Sequence, residues 1–193
     1  MFLPDQQHRD LLASAEEYHQ LGDVYHTVKV LKLLIKQAPE WIKPHLFLAK
    51  VYKSRKEWKA VAHYNKKAVA LDPSQQEAWW DLSIAAFANG KGRQAKRIWN
   101  KFGWNQKPLE AVVAVQILHN GIYEVIWVKP YNPVCGRIIS IPHPESDRAF
   151  GDFLLFDRDS LGYAIFDNKK IPIYPELHLF KRAYYHTFSA LIE

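Results

Sequence analysis

Cysteine is almost missing from this chain, with Cys135 the sole example among 193 residues. An intrachain disulfide is excluded, and so is a zinc site built from several thiolates. Long apolar runs are missing too. The longest, such as Ala111 to Val115, are strand-sized and fall far short of the ~18 consecutive apolar residues of a spanning helix. A membrane is therefore not an expected partner. Residues 1 to 10 carry neither a basic start nor an apolar core, so no secretory leader is expected and a reduced, cytoplasmic setting is. No Gly-rich phosphate loop, Gly-x-Ser-x-Gly elbow, HExxH pair, zinc finger, helix-turn-helix or RNP motif occurs. The apolar share of 48% and charged share of 24% exclude wholesale disorder and collagen-like repetition.

What is present in excess is positive charge and tryptophan. Lys plus Arg number 26 against 20 Asp plus Glu, a formal +6, and there are 7 Trp. A basic balance admits nucleic acid, acidic proteins or an anionic surface as partners and selects none of them. Its distribution is more informative. Residues 1–104 hold 17 Lys or Arg and 10 Asp or Glu, a local +7, whereas residues 105–193 hold 9 and 10, a local −1. All of the excess lies in the first half.

That half repeats. Pro39 and Pro73 stand 34 residues apart, each closing a helix-like stretch. Going back from each, the same events recur: a periodic segment, a small or polar turn, a second periodic segment, then proline. The first pass runs through Leu11, Ala15 and Tyr18, turns at Gly22-Asp23, and continues through Val24, Leu31 and Leu34. The second runs through Leu48, Ala49 and Tyr52, turns at Lys56-Glu57, and continues through Trp58, Val61 and Ala68. The third begins at Trp79, Leu82 and Ser83, turns at Gly90-Lys91-Gly92, and continues through Ala95, Trp99 and Phe102.

Trp79, Leu48-Ala49, Tyr18, Tyr52, Ala68, Ala95, Pro39 and Pro73 resemble the tetratricopeptide repeat, a 34-residue helix–turn–helix unit. The resemblance covers about residues 8–102, and the second repeat matches best. Thr27 and Val61 depart from the small residue of the pattern, and the third repeat has no proline before Pro108. The resemblance implies a solenoid of three helix pairs. Paired helices of this type cannot bury their apolar stripes alone, so each pair stacks on the next.

Near residue 104 the period changes. Apolar, β-branched runs at Ala111–Leu118 and Ile122–Val128 flank Asn120-Gly121, a strong hairpin signal. Further short runs follow at Arg137–Ile141, Asp152–Asp157, Leu161–Phe166 and Ile171–Tyr174. A turn or two of helix is expected at Pro175–Arg182 and a closing strand at Tyr184–Ile192. The fold class is thus α+β in two domains: 1–104 helical repeats, and 105–193 a small antiparallel β-rich domain, SH3-like or a partly open barrel. Phe102, Trp104 and Leu109 are the expected seam between them.

First helices of tetratricopeptide repeats line a concave groove, which implies groove positions for Lys43, Lys50 and Lys53 on the second repeat. The same reasoning gives Trp80, Ile84 and Phe87 on the third repeat and Glu16 and His19 on the first. A basic groove with an aromatic wall suits a peptide or protein partner carrying acidic and apolar residues. The family's carboxylate clamp is disfavoured, because Glu16 and Asp81 stand where it needs asparagine. The rival partner is nucleic acid, held by Lys66, Lys67, Arg93, Lys96, Arg97 and Lys101 near Trp99 and Trp104.

Catalysis has weaker support. Cys135 shares its half with His119, His143, His178 and His186, but a nucleophile needs a base in hydrogen-bond reach. His143, Glu145 and Asp147 lack paired-His metal spacing, and Asp157 and Asp159 most simply form a polar turn. No enzyme activity, cofactor or metal is expected. The expected role is an interaction scaffold, with the β domain as cap or second binding surface.

Overall fold

The computed structural model describes residues 3–105 and 112–185. Among the described residues six α-helices precede six strands, an α+β layout in two parts. Two compact units, Met1–Ile98 and Trp99–Glu193, divide the chain, whereas the sequence pattern sets the boundary after residue 104.

The helices are α1 (Gln6–Gln20), α2 (Val24–Gln37), α3 (Ile42–Ser54), α4 (Trp58–Leu71), α5 (Gln76–Ala88) and α6 (Gly92–Phe102). Asp5 and Asp23 open the first two by accepting the N–H groups of His8 and His26, which satisfies otherwise orphaned donors. The turn inside each helix pair is built alike. Gly22, Lys56 and Gly90, 34 residues apart, all have left-handed φ values of 75°, 59° and 75°. The following residue then reaches back across the turn: Asp23 N–H donates to Tyr18 O, Glu57 to Tyr52 O and Lys91 to Ala86 O. This is the Schellman arrangement, which spends the last carbonyls of one helix and reverses the chain.

Burial follows the same period. Ala15, Ala49 and Ser83 are buried, and so are Thr27, Val61 and Ala95. The small side chains among them, Ala15, Ala49, Ser83 and Ala95, let neighbouring helices approach closely. Ala15, Leu31, Leu34, Ala38, Trp41 and Leu48 form one continuous core. Tyr52 lies face to face with Tyr64, ring centroids 5.6 Å apart.

Lys56 is the one repeat turn without glycine, and a side chain in the left-handed region costs about 1–2 kcal/mol. Lys56→Gly is therefore expected to stabilise the chain by about 1 kcal/mol. A urea unfolding midpoint that stays put or falls would count against this.

His45, on α3, is only 4% exposed. Burial is the main cause that pushes its pKa below the ordinary 6.5, Lys67 and His63 add to the lowering, and a hydrogen bond to Pro39 O opposes it. The unfolded chain thus takes up this proton more readily than the folded one. Stability from neutral His45 is complete above pH 6.5 and declines as pH falls below it. His45→Gln should flatten that decline, read as a smaller loss of urea midpoint between about pH 7.5 and 5.

The strands are β1 (Val113–His119), β2 (Ile122–Asn132), β3 (Cys135–Ile138), β4 (Phe153–Phe156), β5 (Gly162–Phe166) and β6 (Lys169–Lys181). β1 pairs with β2, β2 with β3, β3 with β4, β4 with β6, and β6 returns to β1, so five strands form a ring. Every pairing is antiparallel except β1 with β6, and β5 is attached through β6. Asn120 and Gly121 have φ values of 48° and 77°, and Asp167 and Asn168 have 49° and 58°. Both are two-residue hairpin turns that need the left-handed region twice, which Asn, Asp and Gly tolerate best. Val115, Ile117, Ile126, Val128, Ile138, Leu154 and Phe156 fill the interior.

Two expectations need correction. Pro175–Arg182 is not helical: β6 continues to Lys181, with Glu176, His178 and Leu179 paired to β4. Proline fits there because Pro175 contributes its carbonyl, which accepts from Asp157 N–H. Tyr184 and Tyr185 lie outside any strand, and the remainder of the expected closing strand falls beyond the described residues.

Candidate functional site

Helices α2, α3, α4 and α6 contain no aspartate or glutamate at all. Their cations point outward: Lys29, Lys32 and Lys36 on α2, Lys59, Lys66 and Lys67 on α4, and Arg93, Lys96 and Arg97 on α6 are all exposed. Amphipathic helices put their lysines in water. The absence of interleaved carboxylates is what makes these faces unusual, since like charges at i,i+3 and i,i+4 repel unless an anion answers them.

On the first helices the expected groove residues separate into two groups. Lys43, Lys50 and Glu16 are exposed. Lys53 is half-buried and its ammonium lies 2.6 Å from the Asp81 carboxylate, so its charge is answered within the chain. His19 sits edge-on to Phe47, centroids 5.3 Å apart. These two contacts bring α1 beside α3 and α3 beside α5.

Trp80 and Ile84 are not on an open wall, being 3% and 0% exposed. Phe87 is half-buried. The reason is the character of α5, which buries Ala78, Trp80, Leu82, Ser83, Ile84, Ala85 and Ala86. A helix that is apolar on most of its circumference is a core helix, not a groove lining.

A concavity in the helical unit lies elsewhere. A cleft of about 610 Å³ opens between α2 and the end of α3. From α2 it takes Val24, Tyr25, Val28, Lys29 and Lys32; from the α3 end and the turn after it come Tyr52, Arg55 and Glu57. None of its α2 residues was a predicted site residue. The available signal was the sequence of α2 itself, which carries lysines and no acid.

The aromatic partners expected for a nucleic-acid surface are largely occupied. Trp99 is 4% exposed. The Trp104 ring stacks on Phe102 at 4.6 Å, with the Arg158 guanidinium 5.2 Å from it. Leu109, the third expected seam residue, lies outside the described residues.

In the β unit His119 stacks on His143, centroids 5.5 Å apart, and its Nε2 lies 3.4 Å from Glu124 Oε2. Glu124 Oε1 accepts the His143 N–H at 3.0 Å. The cluster ties the β1–β2 hairpin to the loop after β3. Among the described residues no three of His, Cys, Asp and Glu come together in a way that could hold a metal ion. Cys135 is 1% exposed, and burial pushes its thiol up to about 12, so it is not a thiolate at neutral pH. Asp157 accepts the Arg158 N–H at 2.8 Å, a local turn contact.

No protein-family model matches the chain, and a search of curated proteins finds no match. Among the described residues no helix is long and apolar enough to cross a membrane.

Proposed function

We propose that this chain is a protein-interaction module whose helical unit is a tetratricopeptide-type solenoid that holds an acidic peptide or protein segment. The observation that carries the reading is the set of exposed cations on helices devoid of carboxylates. Such faces lower the free energy of an approaching anion and lack internal anions to compete with it. The 34-residue recurrence of the left-handed turn supports the repeat assignment. The ring of strand pairings supports a small SH3-like barrel for the second unit, acting as a cap or second binding surface. No catalytic group, cofactor or metal enters this reading, and the setting is cytoplasmic.

Nucleic acid is the competing partner class, favoured by the same cations. Base stacking is worth about 1–3 kcal/mol per base and needs open rings. Burial of Trp99 and the stacking of Trp104 on Phe102 leave these two rings poorly placed for that role.

The test is affinity capture with the full chain from native cytoplasm, with and without nuclease. Lys29→Glu/Lys32→Glu and Lys43→Glu/Lys50→Glu variants serve as comparisons. Lys53 is left intact, because reversing it would set two carboxylates together at Asp81. A protein partner that survives nuclease and falls at least fivefold with one of the variants is expected. Capture of nucleic acid alone, or capture unchanged in both variants, overturns the reading.

A further inference from the structure

The α2–α3 cleft combines a half-buried apolar floor, a braced aromatic wall and two rim lysines, Lys29 and Lys32. Residues 24, 28 and 32, with 25 and 29 beside them, form one stripe along α2, because side chains three and four apart share a helical face. Val24 and Val28 are half-buried and supply an apolar floor. Tyr52 closes the far side and is held flat against Tyr64 with an interplanar angle of 3°. Tyr25 projects into water, 69% exposed. Its ring is nevertheless braced edge-on to His26 at 5.0 Å, and His26 in turn stacks on Tyr18 and bonds the Asp23 carboxylate. An exposed aromatic that is already positioned loses little conformational freedom when a ligand covers it.

The charges around this floor point to the ligand. Arg55 is paired with Glu57 across the turn. Lys29 and Lys32 stand one turn apart on the rim, and no carboxylate among the described residues is bonded to either. A cleft of about 610 Å³ accepts a few side chains of a passing chain. A free phosphate is a poorer match: such sites use backbone N–H groups or a guanidinium fork, and the one guanidinium of the cleft, Arg55, already gives its Nε to the Glu57 carboxylate.

We propose that this cleft is the docking site for an acidic peptide segment with an apolar or aromatic anchor residue. The anchor lies on Val24, Val28 and the two tyrosine rings, and flanking carboxylates meet Lys29 and Lys32. This rests on the reading of the chain as a protein-binding module and gives that reading a location and a ligand chemistry.

The experiment is selection of displayed random 12-residue peptides on the full chain, followed by anisotropy titration of a fluorescein-labelled copy of the best peptide. Enriched sequences are expected to combine Asp or Glu with Leu, Phe, Tyr or Trp. Lys29→Glu/Lys32→Glu should weaken binding at least tenfold, with Lys29→Gln/Lys32→Gln giving a smaller loss. Tyr25→Ala should weaken it at least fivefold, and Lys43→Glu/Lys50→Glu less than twofold. Far-ultraviolet circular dichroism confirms that each variant keeps its helices. Enriched peptides whose binding ignores the cleft variants overturn this site while leaving the protein-binding reading intact. Absence of enrichment overturns that reading as well. A 20-nucleotide single-stranded oligonucleotide that binds more tightly than the peptides, and is lost in Lys29→Glu/Lys32→Glu, reassigns the cleft to nucleic acid.

Discussion

Gly136→Ala is expected to lower the stability of the β unit by about 2–3 kcal/mol, the upper range for forcing a methyl group into filled space. Gly136 lies in β3, paired with Pro130 of β2 and Leu154 of β4. A Cβ placed there would overlap Cγ1 of Val128 and sit 2.8 Å from the Lys129 carbonyl oxygen and 3.1 Å from Pro130 Cα. Val128 is fully buried and two of the three neighbours are backbone, so nothing can swing aside cheaply. The register between β2 and β3 shifts at Pro130/Asn132, and the bulge brings the two backbones together at the glycine. For a domain of roughly this size each kcal/mol moves Tm by about 4–8 °C. Hydrogen exchange should report lost protection in residues 113–181 with α1–α5 unaffected. A variant that melts with the native chain would show that β2 and β3 relax apart freely.

Gly136 also marks where legibility ran out. Local signals in the helical half were strong because each repeat turn needs a left-handed residue at the same offset. Gly22 and Gly90 advertise that need, and the polar Lys56-Glu57 stands in the same register. The Asn120-Gly121 hairpin was legible for a similar local reason. By contrast, the closeness of Gly136 to Val128 depends on strand register and a bulge, which are long-range pairings with no local signature. The sequence pattern of β6 changes at Pro175, which makes it read as a strand followed by a helical turn. In the sheet this strand changes partners along its length, β5 then β1 then β4, so no single alternation runs through it.

The proposed binding surface was legible as charge but not as location. The resemblance implies groove positions for Trp80 and Ile84, whereas the composition of α5, with Ile84, Ala85 and Ala86 consecutive, already indicates burial on several sides. Spacing within α3 puts Lys53 on the same face as Lys43 and Lys50, but its partner Asp81 comes from the next helix pair and has no signature in that spacing. The Tyr25–Lys29–Lys32 stripe was readable in principle. It needed the cleft opposite, supplied by Tyr52 and Arg55, to distinguish it from ordinary solvated lysines.

Arg148→Met is expected to destabilise the β unit by about 3 kcal/mol or more, the range seen when one member of a buried ion pair is removed. Arg148 grips Glu176 with both arms, Nε to Oε1 at 2.7 Å and Nη2 to Oε2 at 3.0 Å. Side-chain exposures of 15% and 9% place the pair largely out of water. Its location explains its importance. Arg148 sits in the long connection between β3 and β4, and Glu176 sits on β6 at the point opposite Phe156. Nearby, Asp147 pairs with Arg182 at 2.7 Å, and buried Asp152 accepts the N–H groups of Ala149 and Ala183. The connection is thus fastened to the end of β6 by charge and backbone bonds in place of an apolar core. Removing Arg148 leaves the Glu176 carboxylate buried without its counter-ion, which is costlier than never having had the pair. Glu176→Leu in the Arg148→Met background should therefore recover most of the loss. In a double-mutant cycle of urea unfolding, the coupling should reach at least about 1.5 kcal/mol, within the span observed for contacting residues. Additive losses would show that each side chain acts through separate contacts and that the pair does not hold the connection in place.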